Sequence, residues 1–280
     1  MEAFPDILVD HMAAGLCIPW CGSGISVPSG LPNWGVLAEQ LVRSVDHSLS
    51  DEQRADAHRM IRQAELEDVI DFCRELLGEG EYREAVQKIL GGGQPNALHR
   101  FIVALPVPAI VTTNYDRLLE TAYADLRGGL LPVFTASDTP TLWKLVARKE
   151  KYLLKVHGDI IRPDTLVLTT RDYTKHVFGN APFMTFVQRL LLGHSALFIG
   201  SSITDHYLQR ILEETTYLTG GVGVPHYAIM RDPGVIRKKV LKARFNINVI
   251  SYSVPTDGDH ASAVIEILGA LCDEVSRVRS

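Results

Sequence analysis

Short apolar runs alternate along this chain with longer stretches in which apolar residues recur every three or four positions. The apolar runs are Leu16–Trp20, Ala109–Thr113, Leu153–His157, Leu166–Thr169, Ala196–Gly200, His226–Met230 and Ile247–Tyr252. They are mostly apolar on both parities, as strands covered on both faces are. Helical spacing marks Trp34–Val45, Tyr115–Ala124, Ala181–Leu192, Asp205–Leu218, Asp232–Arg244 and Ala261–Val278. The alternation predicts an α/β fold, a doubly wound parallel sheet between helix layers. Pro19 counts against the first strand, because it removes one ladder donor.

Residues 46–90 break this rhythm. No strand is predicted there, and the spacing gives amphipathic helices at Asp51–Gln63, Glu65–Leu77 and Glu81–Leu90, ending at the Gly91-Gly92-Gly93 turn. The segment holds 12 acidic and 6 basic residues, so its balance of −6 leaves about +1 for the rest of a chain whose net charge is −5. It reads as a helical insertion, a lid or small subdomain beside the sheet of one domain covering 1–280. Its charged faces are equally those of ordinary solvated helices.

With 46% hydrophobic and 22% charged residues, the 280-residue chain can bury a substantial core, which excludes wholesale disorder. The slightly negative charge argues against coating nucleic acid or an anionic membrane. No apolar stretch approaches the roughly 18 residues of a membrane span. The opening MEAFPDILVD places acids where a signal peptide carries bases, so a cytoplasmic protein is expected. Of four cysteines only Cys17 and Cys21 are close, whereas a zinc ribbon needs two close pairs. Buried, reduced thiols are expected and no metal site is predicted.

Four stretches carry candidate chemistry, each at the carboxyl end of a strand, where open α/β sheets bind ligands. Gly22-Ser23-Gly24-Ile25-Ser26 follows the first strand, and its glycines would let backbone amides approach a phosphate. Val27 stands where the dinucleotide fingerprint has its third glycine, and no Gly-Lys-Ser/Thr of a P-loop occurs. Thr113-Asn114-Tyr115-Asp116 offers an amide and a carboxylate, or alternatively a helix cap. Lys155-Val156-His157-Gly158-Asp159 puts an imidazole, suited to proton transfer near neutral pH, beside a glycine; a buried structural histidine is the other reading. Gly200-Ser201-Ser202-Ile203-Thr204-Asp205 offers hydroxyls for ribose or phosphate oxygens, or an N-cap by Ser202 or Thr204. Together they predict a nucleotide site faced by an amide, a carboxylate and an imidazole.

This set, in this order, resembles the sirtuin superfamily. Gly22-Ser23-Gly24-Ile25-Ser26 is similar to its G-A-G-I-S loop, and Ser29-Gly30-Leu31-Pro32 to the segment after it. Thr113-Asn114-Tyr115-Asp116 resembles the Q-N-I-D motif, Val156-His157-Gly158 the H-G motif, and Gly200-Ser201-Ser202 the later G-T/S-S loop. Val111–Leu119, Lys155–Asp159 and Leu166–Tyr173 look most like the SIR2-like domains of bacterial anti-phage defence systems. The paired-cysteine zinc module of the deacetylases is missing, and their Asp-Phe-Arg reads Asn33-Trp34-Gly35 here. Both departures favour simple hydrolysis over acyl-lysine chemistry.

The resemblance implies a Rossmann-like fold and an NAD+ hydrolase that releases nicotinamide and ADP-ribose without a metal. It implies that Asn114 positions ribose and the attacking water, that His157 is general base, and that Asp116 orients the nicotinamide carboxamide. Gly22, Ser23, Gly24 and Ser26 would hold the pyrophosphate, and Gly200, Ser201 and Ser202 the adenosine side. It further implies a homo-oligomer or a co-encoded ATPase or Argonaute-type partner that gates activity, with residues 46–90 and Ala261–Val278 as contact surfaces. An NAD-dependent deacylase and a non-catalytic NAD or ADP-ribose sensor are the alternatives.

Overall fold

The computed structural model describes residues 4–146, 150–255 and 258–279. Its centre is one sheet made of β1 (Cys17–Cys21), β2 (Ala109–Thr112), β3 (Val133–Phe134), β4 (Tyr152–Lys155), β5 (Ser195–Ile199), β6 (His226–Arg231) and β7 (Ile247–Tyr252). The spatial order is β3-β4-β2-β1-β5-β6-β7 and every pairing is parallel. Chain that leaves β1 builds one half of the sheet through β4 and then crosses to β5 for the other half. The order therefore reverses between β1 and β5, where a crevice opens in sheets of this kind.

Alternate strand residues enter two separate cores, which is why the strands read as apolar on both parities. Ile110, Leu153, Leu197 and Ile199 pack with α1 (Asp6–Ala13), α5 (Ala97–Ala104), α6 (Leu118–Arg127) and α12 (His260–Arg279). Trp20, Val111, Leu154 and Phe198 pack with α7 (Thr139–Val146), α9 (Ala181–Gly193), α10 (His206–Leu218) and α11 (Gly234–Phe245). The doubly wound α/β sheet expected from the pattern is the observed fold. Pro19 sits inside central β1, and the β2 ladder begins one residue later, at Trp20↔Val111.

A third core joins α2 (Trp34–Ser44), α3 (Asp51–Arg62) and α4 (Leu66–Leu90), and it includes Tyr115, Ile160 and Leu168. Gly78 departs from helical geometry and divides α4 near the break expected between Leu77 and Glu81. The acidic helices meet a run of partners in α8 (Thr170–Gly179) and the loop before it. Arg74 pairs with Asp172 at 2.9 Å, Arg171 with Glu75 at 3.1 Å, and Arg83 with Asp164 at 2.7 Å.

Leu166–Thr169 is not a strand. Val167 N–H donates to the carbonyl of His157 at 2.9 Å, but the amides of Leu168 and Thr169 turn to the Asp172 carboxylate, each at 3.2 Å. The Thr169 hydroxyl accepts from Asp172 N–H in return, a capping box that starts α8 and takes the donors a ladder would use. The apolar residues of the run are buried by docking instead, Leu168 in the third core. The edge strand β3 was not predicted, since two half-buried residues are too short to show a period.

Candidate active site

Asn114 and His157 stand at the same end of neighbouring strands. Thr112 of β2 is in register with Lys155 of β4, and Val156 N–H donates to the Thr112 carbonyl at 3.0 Å. Each candidate residue lies two positions beyond that paired rung. The loops after β1 and β5 meet beside them at the switch in strand order. Gly22 N–H donates to the Ile199 carbonyl at 3.0 Å and Gly24 N–H to the Gly200 carbonyl at 2.9 Å. A Cβ on Gly200, whose φ is +64°, would lie 2.6 Å from the Ile25 nitrogen, so these loops touch backbone to backbone. The glycine amides expected to cradle phosphate are thus spent inside the protein.

Around Asn114 the polar groups form a closed network. The Asn114 side-chain nitrogen donates to the Gly22 carbonyl at 3.3 Å and to the Ser26 hydroxyl at 3.1 Å. The Ser26 hydroxyl donates to Asp116 Oδ2 at 2.8 Å and lies 3.2 Å from His99 Nε2. Asp116 Oδ1 accepts from Leu118 N–H at 2.9 Å at the start of α6, which fixes the carboxylate as a turn-forming group. Burial lowers the pKa of His99 to about 4 against the pull of Asp116, so the imidazole is neutral near pH 7. Asn96, the N-cap of α5, donates from its side chain to the Ile25 carbonyl and the Ser29 hydroxyl, both at 2.9 Å, and thereby holds the loop after β1.

His157 has different surroundings. Its ring is 1% exposed and lies edge-on to Tyr173 and Tyr207, with centroids 5.4 and 6.4 Å away. Nε2 is 3.0 Å from Asp205 Oδ2, an ion-pair separation without hydrogen-bond alignment. Asp205 also accepts from the Tyr173 hydroxyl at 3.1 Å and from Leu208 N–H at 2.7 Å, where it caps α10. Burial raises the Asp205 carboxyl, but His157 and these donors outweigh it and hold the pKa below the usual carboxylate value. The approach to Asp205 runs through Ile203, a buried residue at φ +53°, a conformation that costs a branched side chain energy. Gly158 takes φ +95°, and a Cβ there would sit 2.2 Å from the Thr165 carbonyl. The turn after His157 therefore requires glycine.

Lys155 ties the two sides together beneath the site. Its buried ammonium donates to the carbonyls of Tyr115 and Asp116 at 3.3 and 2.6 Å, and pairs with Glu120 at 2.7 Å and Asp159 at 3.3 Å. Burial keeps the Glu120 pKa raised even though Lys155 lowers it. One cation thus fixes the turn that carries Asn114 to the strand that carries His157.

The remaining candidates lie along the crevice. Ser201, which is half-buried, accepts at Oγ from Ile203 N–H at 3.2 Å, and the exposed Ser202 shares a 2.8 Å contact with the Thr204 hydroxyl. Ser202 and Thr204 do not cap α10; Asp205 does. Sequence reasoning missed His99 and the role of Asp205 as partner to the imidazole. Asn96 and His99 do bear a signal, an N-cap residue and its partner three positions on. A cavity of about 250 Å³, lined by Met12, Phe101, Leu105, Cys272, Val275 and Arg279, opens by α1, α5 and α12, and it contains none of the candidate residues. Convergent polar groups, not empty volume, mark the candidate site. Among the described residues, no group of three or more His, Cys, Asp or Glu side chains could hold a metal ion, and no helix is long and apolar enough to cross a membrane.

Residues 108–250 match the family model described as a SIR2-like domain. The chain is 28% identical over 217 residues to the NAD(+) hydrolase ThsA of Cytobacillus dafuensis, covering 76% of this chain and 40% of that protein. It is likewise 28% identical over 214 residues to the NAD(+) hydrolase ThsA of Acinetobacter baumannii (strain 532279), with coverages of 76% and 42%. Defense-associated sirtuin 2 of Bacillus subtilis is 24% identical over 232 residues, with coverages of 81% and 22%. The match spans about two fifths or less of the length of these relatives.

Proposed function

The chain belongs to the SIR2-like domain family, and from that premise we propose that it is an NAD+ hydrolase that releases nicotinamide and ADP-ribose. The observation that carries the reading is the placement of Asn114 and His157 on adjoining strand ends beside the β1–β5 crevice. The names of the similar NAD(+) hydrolases support it. The glycosidic bond breaks as positive charge develops on the ribose, and nicotinamide departs neutral. Asn114 Oδ1 holds a ribose hydroxyl or the attacking water. His157 takes the proton, and Asp205 orients the imidazole and offsets the charge it gains. Ser23, Ser201 and Ser202 supply hydroxyls to the dinucleotide, while Gly22, Gly24 and Gly200 shape the wall it lies against. In this scheme Ser26 and Asp116 act from behind Asn114, and the Asp116 oxygens are engaged by Ser26 and Leu118 rather than by the carboxamide of nicotinamide.

The cellular role proposed is NAD+ depletion in anti-phage defence, gated by assembly with further copies or with a partner protein. Burial of His157 supports gating, since substrate reaches the imidazole only if Tyr173, Tyr207 or the 200–205 loop moves. We assign residues 46–90 to a helical subdomain of a single α/β unit, with its core against Tyr115 and Leu168 next to the site. The deciding experiment incubates purified protein with NAD+ and separates the products by chromatography and mass. Equimolar nicotinamide and ADP-ribose are expected. Binding without release would replace the enzyme with a sensor, and O-acetyl-ADP-ribose formed from an acetylated peptide would make it a deacylase.

A further inference from the structure

The hydrogen bonds around Ser26 have only one consistent set of directions. Asn96 N–H points at His99 Nδ1 from 3.3 Å, so Nδ1 accepts and the proton of the neutral ring sits on Nε2. That Nε2–H then donates to the Ser26 hydroxyl oxygen, 3.2 Å away. The hydroxyl's own proton goes to Asp116 Oδ2, which leaves its oxygen one more acceptor position, filled by Asn114 Nδ2–H. The second Nδ2 proton goes to the Gly22 carbonyl, a group that can only accept. Turning the amide over would set Asn114 Oδ1 against that carbonyl. His99 is fully buried and Ser26 nearly so, so no water competes for these bonds.

We infer that His99 is a positioning residue for Asn114. Its Nε2–H tautomer keeps the Ser26 hydroxyl bound to Asp116, and that fixed acceptor, together with the Gly22 carbonyl, seats the Asn114 amide nitrogen inward and leaves Oδ1 as the end that meets ligand. Among the described residues Oδ1 has no protein hydrogen bond, and it is not among the sealed polar atoms. The inference deepens the hydrolase reading and rests on it for the identity of that ligand. The opposite tautomer would aim a lone pair at Ser26 and a proton at Asn96 N–H. Ser26 would then give its proton to His99 and lose Asp116, and the hydroxyl that seats the Asn114 amide would swing out of place.

Two measurements test this. Long-range nitrogen-15 correlation spectra of the wild-type protein at pH 7 identify the His99 tautomer whether or not NAD+ is turned over. Nε2–H is expected, and Nδ1–H or a doubly protonated ring overturns the proposal. Steady-state kinetics then compare His99→Leu with His99→Gln, whose amide N–H reaches the Nε2 position. The Leu variant is expected to lose roughly 10–100-fold in kcat with little change in KM for NAD+, the scale of a misplaced reacting group. The Gln variant should recover most of that loss. Equal losses in the two variants, or a rise in KM at constant kcat, overturn the proposal. Should the Leu variant fail to fold, the Gln variant and the spectra decide. Wild-type protein that never releases nicotinamide defeats the hydrolase reading alone, because the spectra still report the tautomer.

Discussion

Around Ser26, neutral donors and one carboxylate pair off with one another and leave Asn114 Oδ1 open. Around Asp205, a carboxylate accepts two hydrogen bonds, faces His157 Nε2 at ion-pair distance, and leaves Nδ1 of that ring without a partner. The first side holds its atoms still; the second keeps an ionisable pair and an unpartnered ring nitrogen beside a strained loop. A site for general-base hydrolysis needs both characters. One group must present a fixed oxygen, and another must change its proton count during the reaction.

The comparison breaks most visibly in rates. His157→Ala is expected to cut nicotinamide release by ~10²–10⁴-fold with the fold intact, as loss of a general base does. Asn114→Ala should be as severe, and steady turnover by both variants, read by chromatography, would dismiss the assignment. Next in size, Lys155→Met strips the buried cation from Glu120 and Asp159. A loss of about 3–5 kcal/mol is expected from denaturant unfolding, the usual cost of orphaning a buried charge. A midpoint equal to wild type would mean that Lys155 does not join the two sides. Gly200→Ala, forced into a left-handed conformation against Ile25, should cost about 1–3 kcal/mol on the same measurement.

The smallest effect is a slope. Burial lowers the pKa of His99, His176 and His226 to about 4, with His157 adding to the shift at His176. Their unfolded values lie near 6.5, so between those limits the unfolded chain binds more protons. The stabilisation is complete above pH 6.5 and is lost as pH falls toward 4. His99→Gln removes one of these titrations and should flatten the stability–pH curve in that window by at most ~1.4 kcal/mol per pH unit. An unchanged slope would mean that His99 does not titrate there.

The doubly wound sheet was legible because strands covered on both faces must be apolar at every position, and six of the seven carry runs long enough to show it. The four stretches at strand ends were legible for the same reason, since parallel topology sends them all to one side. What escaped were elements defined by other residues' hydrogen bonds. Leu166–Thr169 has strand composition, but Asp172 captures its amides. Helices α1, α5, α7 and α8 are mostly short and gain their stability from packing, so their periodicity is brief. His99 lies 73 positions from Ser26, a distance across which no local pattern carries information. Asp205 reads in sequence as the first residue of its helix, with Ser202 or Thr204 as cap, whereas it is the cap itself; its second duty toward His157 depends on strands far apart in sequence.

The seam between Gly24 and Gly200 joins the loops after β1 and β5 by a backbone hydrogen bond and direct backbone packing, with no side chain of either glycine as cushion. Force applied to one loop by a bound dinucleotide is therefore delivered to the other without slack. The loop that receives it runs on to the carboxylate beside His157, so under the proposed function occupancy at the glycine wall and alignment of the imidazole would be mechanically one event.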